Sequence, residues 1–121
     1  MGEVEGMTLA NRKKIDNIIK EYLLIDTRIK ILKAKIRHSN YNNNNNNSAA
    51  IRYNDNISKL EHFRGIIINN VKVDYLEKLE IFKMDLDEAM ELLDLSKSSI
   101  TKLKAKIREE FAKVVKIIEA D

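Results

Sequence analysis

Hydroxyl-bearing and cationic side chains are concentrated in one short stretch between positions 96 and 108. Serine and threonine hydroxyls hydrogen-bond to base edges in the major groove of DNA, while lysine and arginine pair with phosphates. The residues of these types are Ser96, Lys97, Ser98, Ser99, Thr101, Lys102, Lys104, Lys106 and Arg108. Their chemistry and spacing predict a surface that contacts double-stranded DNA.

Two helices joined by a tight turn are predicted to carry this surface. The first helix has Asp85 or Asp87 as its N-cap, and its apolar residues recur at i, i+3, i+4 and i+7. These residues are Leu86, Ala89, Met90 and Leu93. Asp94 lies where the chain must turn in a left-handed conformation, and Ser96 is a suitable N-cap for a second helix that begins at Lys97.

The second helix is amphipathic, with an apolar back and a polar front. Ile100, Leu103 and Ile107 form one stripe that is expected to face the core. The residues predicted to point largely away from it are Lys97, Ser98, Thr101, Lys102 and Arg108, with Lys104 and Lys106 at its flanks. This arrangement is typical of a helix that enters the major groove, and it favours a helix-turn-helix.

The stretch DLDEAMELLDLSKSSITKLKAKIREEF resembles the helix-turn-helix of sigma-factor region 4. It is similar also to that of small phage transcription regulators of the RinA and ArpU type. The resemblance covers about residues 75–115 and implies a DNA-binding regulator, encoded by a phage or prophage, that contacts promoter DNA and RNA polymerase. Met90 and Asp94 depart from the pattern, which usually has a small residue and a glycine there. No segment resembles sigma region 2, so a complete sigma factor is not expected.

Composition predicts an all-α fold of one small domain with an extension. The chain has 121 residues, no proline and only three glycines, and helix-forming residues dominate between the caps. It has no cysteine, no signal-like apolar segment and no membrane-spanning run, so we expect a cytoplasmic protein with no membrane association.

Catalytic chemistry has little support in the sequence. The two histidines, His38 and His62, are isolated from other ligating residues, and neither an H-E-x-x-H pair nor a glycine-rich phosphate loop occurs. We therefore expect no enzyme activity, no catalytic residue, no cofactor and no metal site.

A heptad pattern marks the N-terminal helix. Its apolar residues alternate in steps of three and four, as in a coiled coil: Ile15, Ile18, Tyr22, Ile25, Ile29, Leu32 and Ile36. This seam fits two partners, the same helix of a second subunit in a homodimer or a later helix of the same chain. The fold-back is favoured because the helix from about 51 to 69 offers a matching stripe: Tyr53, Ile57, Leu60, Phe63 or Arg64, Ile67 and Val71.

These patterns divide the chain into three parts. Residues 1–8 are predicted to be a flexible N-terminus, and 9–70 an antiparallel, coiled-coil-like helical hairpin with a disordered Asn-rich loop at 38–50. Residues 71–121 form the predicted helix-turn-helix domain. Within it, a scaffold helix over 71–82 is expected to bury Val71, Tyr75, Leu79 and Phe82.

The net charge is only +3, but the charges are segregated along the chain. Segments 12–37 and 97–116 are basic, whereas 74–94 is acidic. The acidic segment either faces a basic partner such as RNA polymerase or follows the preference of helix starts for carboxylates. Two main functions follow from the sequence: a sequence-specific transcriptional regulator, or a coiled-coil interaction or assembly protein, such as a scaffold or small packaging component, without sequence-specific DNA binding. An intermediate alternative, which the resemblance to region 4 permits, is an adaptor to RNA polymerase that does not bind DNA tightly by itself.

Overall fold

The computed structural model describes residues 9–42 and 47–120. Over these ranges it contains helices and no β-strand, which confirms the prediction of an all-α fold. The elements are α1 (Leu9–Asn42), α2 (Asn47–Asn70), α3 (Val73–Glu77), the 3-10 helix η1 (Leu79–Lys83), α4 (Leu86–Leu93) and α5 (Lys97–Ala120). The predicted flexible segment 1–8 lies outside the described residues.

The chain divides into two compact units whose boundaries differ from the predicted ones. A central unit comprises Leu24–Ile66, and a terminal unit comprises α1 up to Leu23 together with the chain from Ile67 onward. The predicted boundary at 70/71 kept the whole of α1 in one unit, the hairpin. In the structure α1 has 34 residues and contributes to both units. A helix of that length measures about 50 Å, which exceeds the diameter of a small domain.

In the central unit, the end of α1 is tied to α2 by two polar contacts. Arg64 Nη1 donates to Asp26 Oδ1 at 2.6 Å, and Lys35 Nζ lies 5.7 Å from the centroid of the Tyr53 ring. The contacts occur in opposite order along the two helices. Among the residues of this unit whose burial is described, the buried apolar ones are Ile25, Ile29 and Ile57.

The predicted heptad seam describes the buried face of α1 only in part. Ile15, Ile25 and Ile29 are buried as expected. Ile18, which belongs to the seam, is only partly buried, whereas Ile19, which lies outside the seam, is 1% exposed. An α-helix drifts by about 20° per heptad relative to a 3.5-residue repeat. The face that α1 buries in the terminal unit is therefore displaced from the heptad pattern.

Helices α1 and α2 both extend into the stretch predicted as a loop. The prediction of a loop over 38–50 is too long, because α1 ends at Asn42 and α2 begins at Asn47; positions 43–46 lie outside the described residues. Asparagine costs at most about 0.7 kcal/mol per residue relative to alanine in a helix, and a helix already formed propagates through such residues.

The scaffold helix predicted over 71–82 is replaced by two short helices. α3 ends at Glu77, Lys78 adopts φ −102° and ψ 5°, and η1 follows in 3-10 geometry. A 3-10 helix has three residues per turn, so the α-helical spacing does not hold through Lys78. Val71 and Leu79 are buried as predicted, whereas Tyr75 and Phe82 are partly exposed. Ile81, which was not among the predicted core residues, is 1% exposed.

The terminal unit has the larger core. Its fully buried residues come from several elements: Ile15, Ile19, Ile67, Leu79, Ile81, Ala89, Ile100, Ile107, Phe111 and Val114. An ion pair of 2.9 Å between Lys14 Nζ and Glu119 Oε2 joins the start of α1 to the end of α5. This core supports α5 along most of its length.

Among the described helices, not one combines the length and the apolar character needed to cross a membrane.

Candidate nucleic-acid interface

The first helix of the pair, α4, begins with a capping box. The Asp85 carboxylate accepts a hydrogen bond of 2.8 Å from the Glu88 amide, and Glu88 Oε1 accepts one of 3.2 Å from the Asp85 amide. Two backbone donors at the helix start are thereby satisfied by side chains. Of the two N-caps predicted for α4, the structure selects Asp85, and Ala89 is fully buried behind it.

The turn between α4 and α5 depends on the backbone of Asp94. Asp94 adopts φ 55° and ψ 48°, the left-handed conformation expected there, and the Leu95 amide donates to the Met90 carbonyl at 3.1 Å. Aspartate enters this region more readily than most residues because its short polar side chain bonds locally. The turn therefore forms without the glycine usual at this position.

A cluster of serine hydroxyls caps the start of α5. Ser96 Oγ accepts from the Ser99 amide at 3.3 Å and donates to Ser99 Oγ at 3.0 Å. Ser98 Oγ lies 3.3 Å from the same oxygen. The predicted N-cap role of Ser96 is confirmed, and the hydrogen bonds between Ser96 and Ser99 stabilise the start of the helix.

Four side chains hold α5 from behind. Ile100, Ile107, Phe111 and Val114 are all 0% exposed. Leu103, predicted to belong to the same stripe, is partly exposed. Because the back of the helix is fixed at four levels, its opposite face has a defined orientation.

That opposite face presents an outward stripe, which we define as Ser98, Thr101, Lys102 and Ala105. These four residues are exposed and recur at i, i+3, i+4 and i+7. The first three were predicted from the sequence, whereas Ala105 was not, because alanine carries no polar group. Its spacing from Ser98 was the available signal, and its small side chain allows close approach by a ligand.

The Thr101 hydroxyl has a fixed hydrogen-bonding role. It donates to the Lys97 carbonyl at 3.0 Å, which uses the only proton that the hydroxyl has. Its oxygen retains acceptor capacity toward an external donor, and its methyl group remains available for an apolar contact.

Cationic side chains flank the outward stripe. From Lys97 to Arg108, α5 contains five Lys or Arg and no Asp or Glu. Lys97 and Lys106 are exposed, whereas Lys104 is partly exposed and its Nζ lies 5.5 Å from the Phe82 ring centroid. Lys97 and Lys106 are thus the two flanking lysines most accessible to a phosphate.

Arg108 differs from the prediction that it points away from the core. Its Nε donates to Asp16 Oδ1 at 2.8 Å, its guanidinium carbon lies 5.2 Å from the Phe82 ring centroid, and its side chain is 16% exposed. A guanidinium held by a carboxylate and an aromatic ring is committed to the fold. We therefore assign Arg108 to the support of α5 and remove it from the interface.

Replacing Arg108 with methionine is expected to lower the free energy of unfolding by about 1–2 kcal/mol, since an ion pair and a ring contact are lost. Lys106→Met removes the same charge from an exposed site of the same helix and should change stability by less than about 0.5 kcal/mol. Urea unfolding followed by circular dichroism measures both. Equal stability of the two variants would contradict the structural role of Arg108.

Within the part of the chain that the structure describes, no group of three or more His, Cys, Asp or Glu is placed to hold a metal ion. Comparison of the chain with models of known protein families, with curated proteins and with solved structures finds no match.

Proposed function

We propose that the protein is a sequence-specific DNA-binding transcriptional regulator. In this proposal α1 and α2 form an antiparallel hairpin, and α4 and α5 form a helix-turn-helix whose second helix enters the major groove. The surface that reads DNA is the outward stripe of α5. The side-chain chemistry of this stripe, rather than the helical fold as such, supports the proposed function.

One observation supports the proposal more than any other. The outward stripe combines small and polar side chains, lies opposite four fully buried residues, and belongs to a segment that has five cations and no carboxylate. The major groove is about 12 Å wide and admits one α-helix. A rigidly backed helix with small, uncharged or cationic residues in front is suited to that space.

Each residue of the stripe has a distinct role in this interface. Ser98 Oγ can accept a hydrogen bond from a base edge while its proton bonds to Ser96 Oγ, and Lys102 donates to guanine O6 or N7. The Thr101 oxygen accepts from an amino group of cytosine or adenine, and the Ala105 methyl contacts a thymine methyl. Ser96 and Ser99 position the helix start through their hydrogen bonds.

Phosphate contacts are assigned to the flanking cations. Lys97 and Lys106 are exposed on either side of the stripe, and Lys104 contributes from its position over Phe82. The first turn of α5 adds the positive end of the helix dipole. These contacts would supply affinity and orientation, while the stripe supplies sequence discrimination.

The acidic residues of α4 indicate how the pair would face its partners. Asp87, Glu88 and Glu91 are exposed and would be repelled by a phosphate backbone. We propose that this side of α4 faces away from DNA and toward a basic protein surface, for which RNA polymerase is the candidate that the family resemblance implies. Phage or prophage origin, cytoplasmic location and homodimerisation on two half-sites belong to the same proposal.

A coiled-coil interaction or assembly protein is the second candidate. Large apolar side chains on the described helices are exposed, including Ile51 at 66% and Leu92 at 61%. Such residues are typical of surfaces that bind other proteins, although single exposed apolar residues are common. In this case the cations of α5 would bind DNA weakly and without regard to sequence.

Selection from a randomised pool of duplex DNA, followed by sequencing, tests the proposal directly. We expect an enriched motif, and a palindromic motif would indicate a dimer. Affinity for the motif should fall with salt, and Lys97→Ala with Lys106→Ala should reduce the slope of log K against log salt by about 2.

The matched control is Lys13→Ala with Lys116→Ala, which removes two exposed lysines outside the interface and should leave the slope unchanged. No enriched motif, together with equal affinity for unrelated duplexes, would reject the regulator and favour the assembly protein.

A further inference from the structure

A groove on the central unit shares no residue with the outward stripe of α5. It has a volume of about 360 Å³ and is lined by Arg28, Ile31, Leu32, Asn56, Lys59 and Leu60. All six residues belong to the central unit, and the outward stripe of α5 belongs to the terminal unit. The groove therefore requires its own explanation.

The lining residues come from one turn of each helix. α1 and α2 each contribute three residues at i, i+3 and i+4, so the groove follows the line where two helix faces meet. Ile31 is 50% exposed, and Leu32 and Leu60 are partly exposed. If another chain covered these three aliphatic side chains, more of their apolar surface would be removed from water, which would favour binding.

The charges around the groove indicate what could cover it. Arg28 and Lys59 line it, and none of the described lining residues is acidic. The central unit has eight Lys and Arg against three Asp and Glu, a net charge of +5, whereas the whole chain has +3. Two central units brought face to face would repel each other, while a carboxylate-bearing partner would be attracted.

We propose that this groove binds an acidic amphipathic α-helix of a partner protein. Leucine-like side chains of that helix would occupy the space over Ile31, Leu32 and Leu60, and a flanking carboxylate would pair with Lys59. Helix-in-groove recognition of this kind uses apolar anchors at i, i+3, i+4 and i+7. The aliphatic lining disfavours a nucleic acid, because phosphates gain nothing from apolar contact. This inference does not depend on DNA binding.

The test measures fluorescence anisotropy with the full chain and two labelled 16-residue peptides. Both peptides have leucine at i, i+3, i+4 and i+7 on one face; the first has glutamate and the second has lysine at the flanking positions. We expect the glutamate peptide to bind and the lysine peptide not to bind. Ile31→Ala should weaken binding about fivefold and Lys59→Glu more than tenfold.

Two variants of the same unit serve as matched controls. Ile51→Ala changes another exposed isoleucine, and Lys30→Glu reverses another exposed lysine, but neither residue lines the groove. Both should leave the affinity within about twofold, because neither side chain would contact the peptide and salt screens exposed charges that are not in direct contact.

Several results would overturn the proposal. These are failure of the glutamate peptide to bind the wild-type chain, equal binding of both peptides, and an equal loss in the Lys30→Glu and Lys59→Glu variants. Duplex DNA binding that Lys59→Glu abolishes and Ile31→Ala leaves intact would assign the surface to nucleic acid. Sedimentation showing self-association of the chain that Ile31→Ala abolishes would assign it to a second copy.

Discussion

Replacing Phe111 with alanine is expected to lower the free energy of unfolding by about 3–5 kcal/mol. Phe111 is 0% exposed and lies on α5 between Ile107 and Val114, which are equally buried. Truncation removes the apolar contacts of the ring and leaves a cavity that the surrounding helices fill only in part. Because small domains are stable by only about 5–15 kcal/mol, the variant should unfold at a much lower urea concentration.

Leu92→Ala provides the control for this substitution. Leu92 is 61% exposed, so its truncation should change the free energy of unfolding by less than about 0.5 kcal/mol. Both variants are measured by urea unfolding with the helical circular dichroism signal. A cost below about 1 kcal/mol for Phe111→Ala would mean that the terminal unit lacks the close-packed core described above.

The combined variant Ser98→Ala, Thr101→Ala and Lys102→Ala is expected to abolish discrimination between the selected motif and unrelated duplexes. Each base contact is worth about 1–3 kcal/mol, so three contacts correspond to several orders of magnitude in relative affinity. Competition binding with a labelled motif duplex measures this loss. Non-specific affinity should persist because Lys97 and Lys106 are retained.

The chain offers a control with the same three residue types. Lys13, Thr27 and Ser58 are all exposed and lie outside α5, so their replacement by alanine changes composition and charge identically. This variant should retain the selected motif. If both triple variants lose discrimination equally, the outward stripe is not the surface that reads the bases.

The α4 to α5 segment was predictable in detail because its signals are local. The capping role of Asp85, the left-handed turn at Asp94 and the capping role of Ser96 each depend on hydrogen bonds between residues fewer than six positions apart. Short-range patterns of this kind are independent of the rest of the fold. The start of α5 at Lys97 followed from them.

The candidate site was less predictable where distant residues decide it. Arg108 lies toward the polar side of α5 by helical spacing, but Asp16, 92 positions earlier, and Phe82 hold it against the fold. A single-helix pattern contains no information about such partners. Ala105 was missed for a different reason, since its contribution is the absence of bulk.

Other differences between the predictions and the structure also arise because a local pattern does not contain the surrounding structure. Ile19 and Ile81 are buried in the terminal unit, although neither fits the repeat chosen for its own segment. The stretch was predicted to be a loop because asparagine is polar and a poor helix former, whereas α1 and α2 extend into it from both sides. Propensity is a weak guide where a long helix is already formed.

The left-handed turn at Asp94 affects how a segment like α4–turn–α5 can be found in other sequences. Its left-handed backbone is the conformation for which glycine is usually selected, and here an aspartate adopts it. Glycine would remove a local strain of about 1 kcal/mol but would also give the unfolded chain more freedom, so the two residues differ little in net stability. A search profile that scores the turn by its glycine will therefore pass over relatives with aspartate or asparagine there, and a profile that weights the flanking caps will retain them.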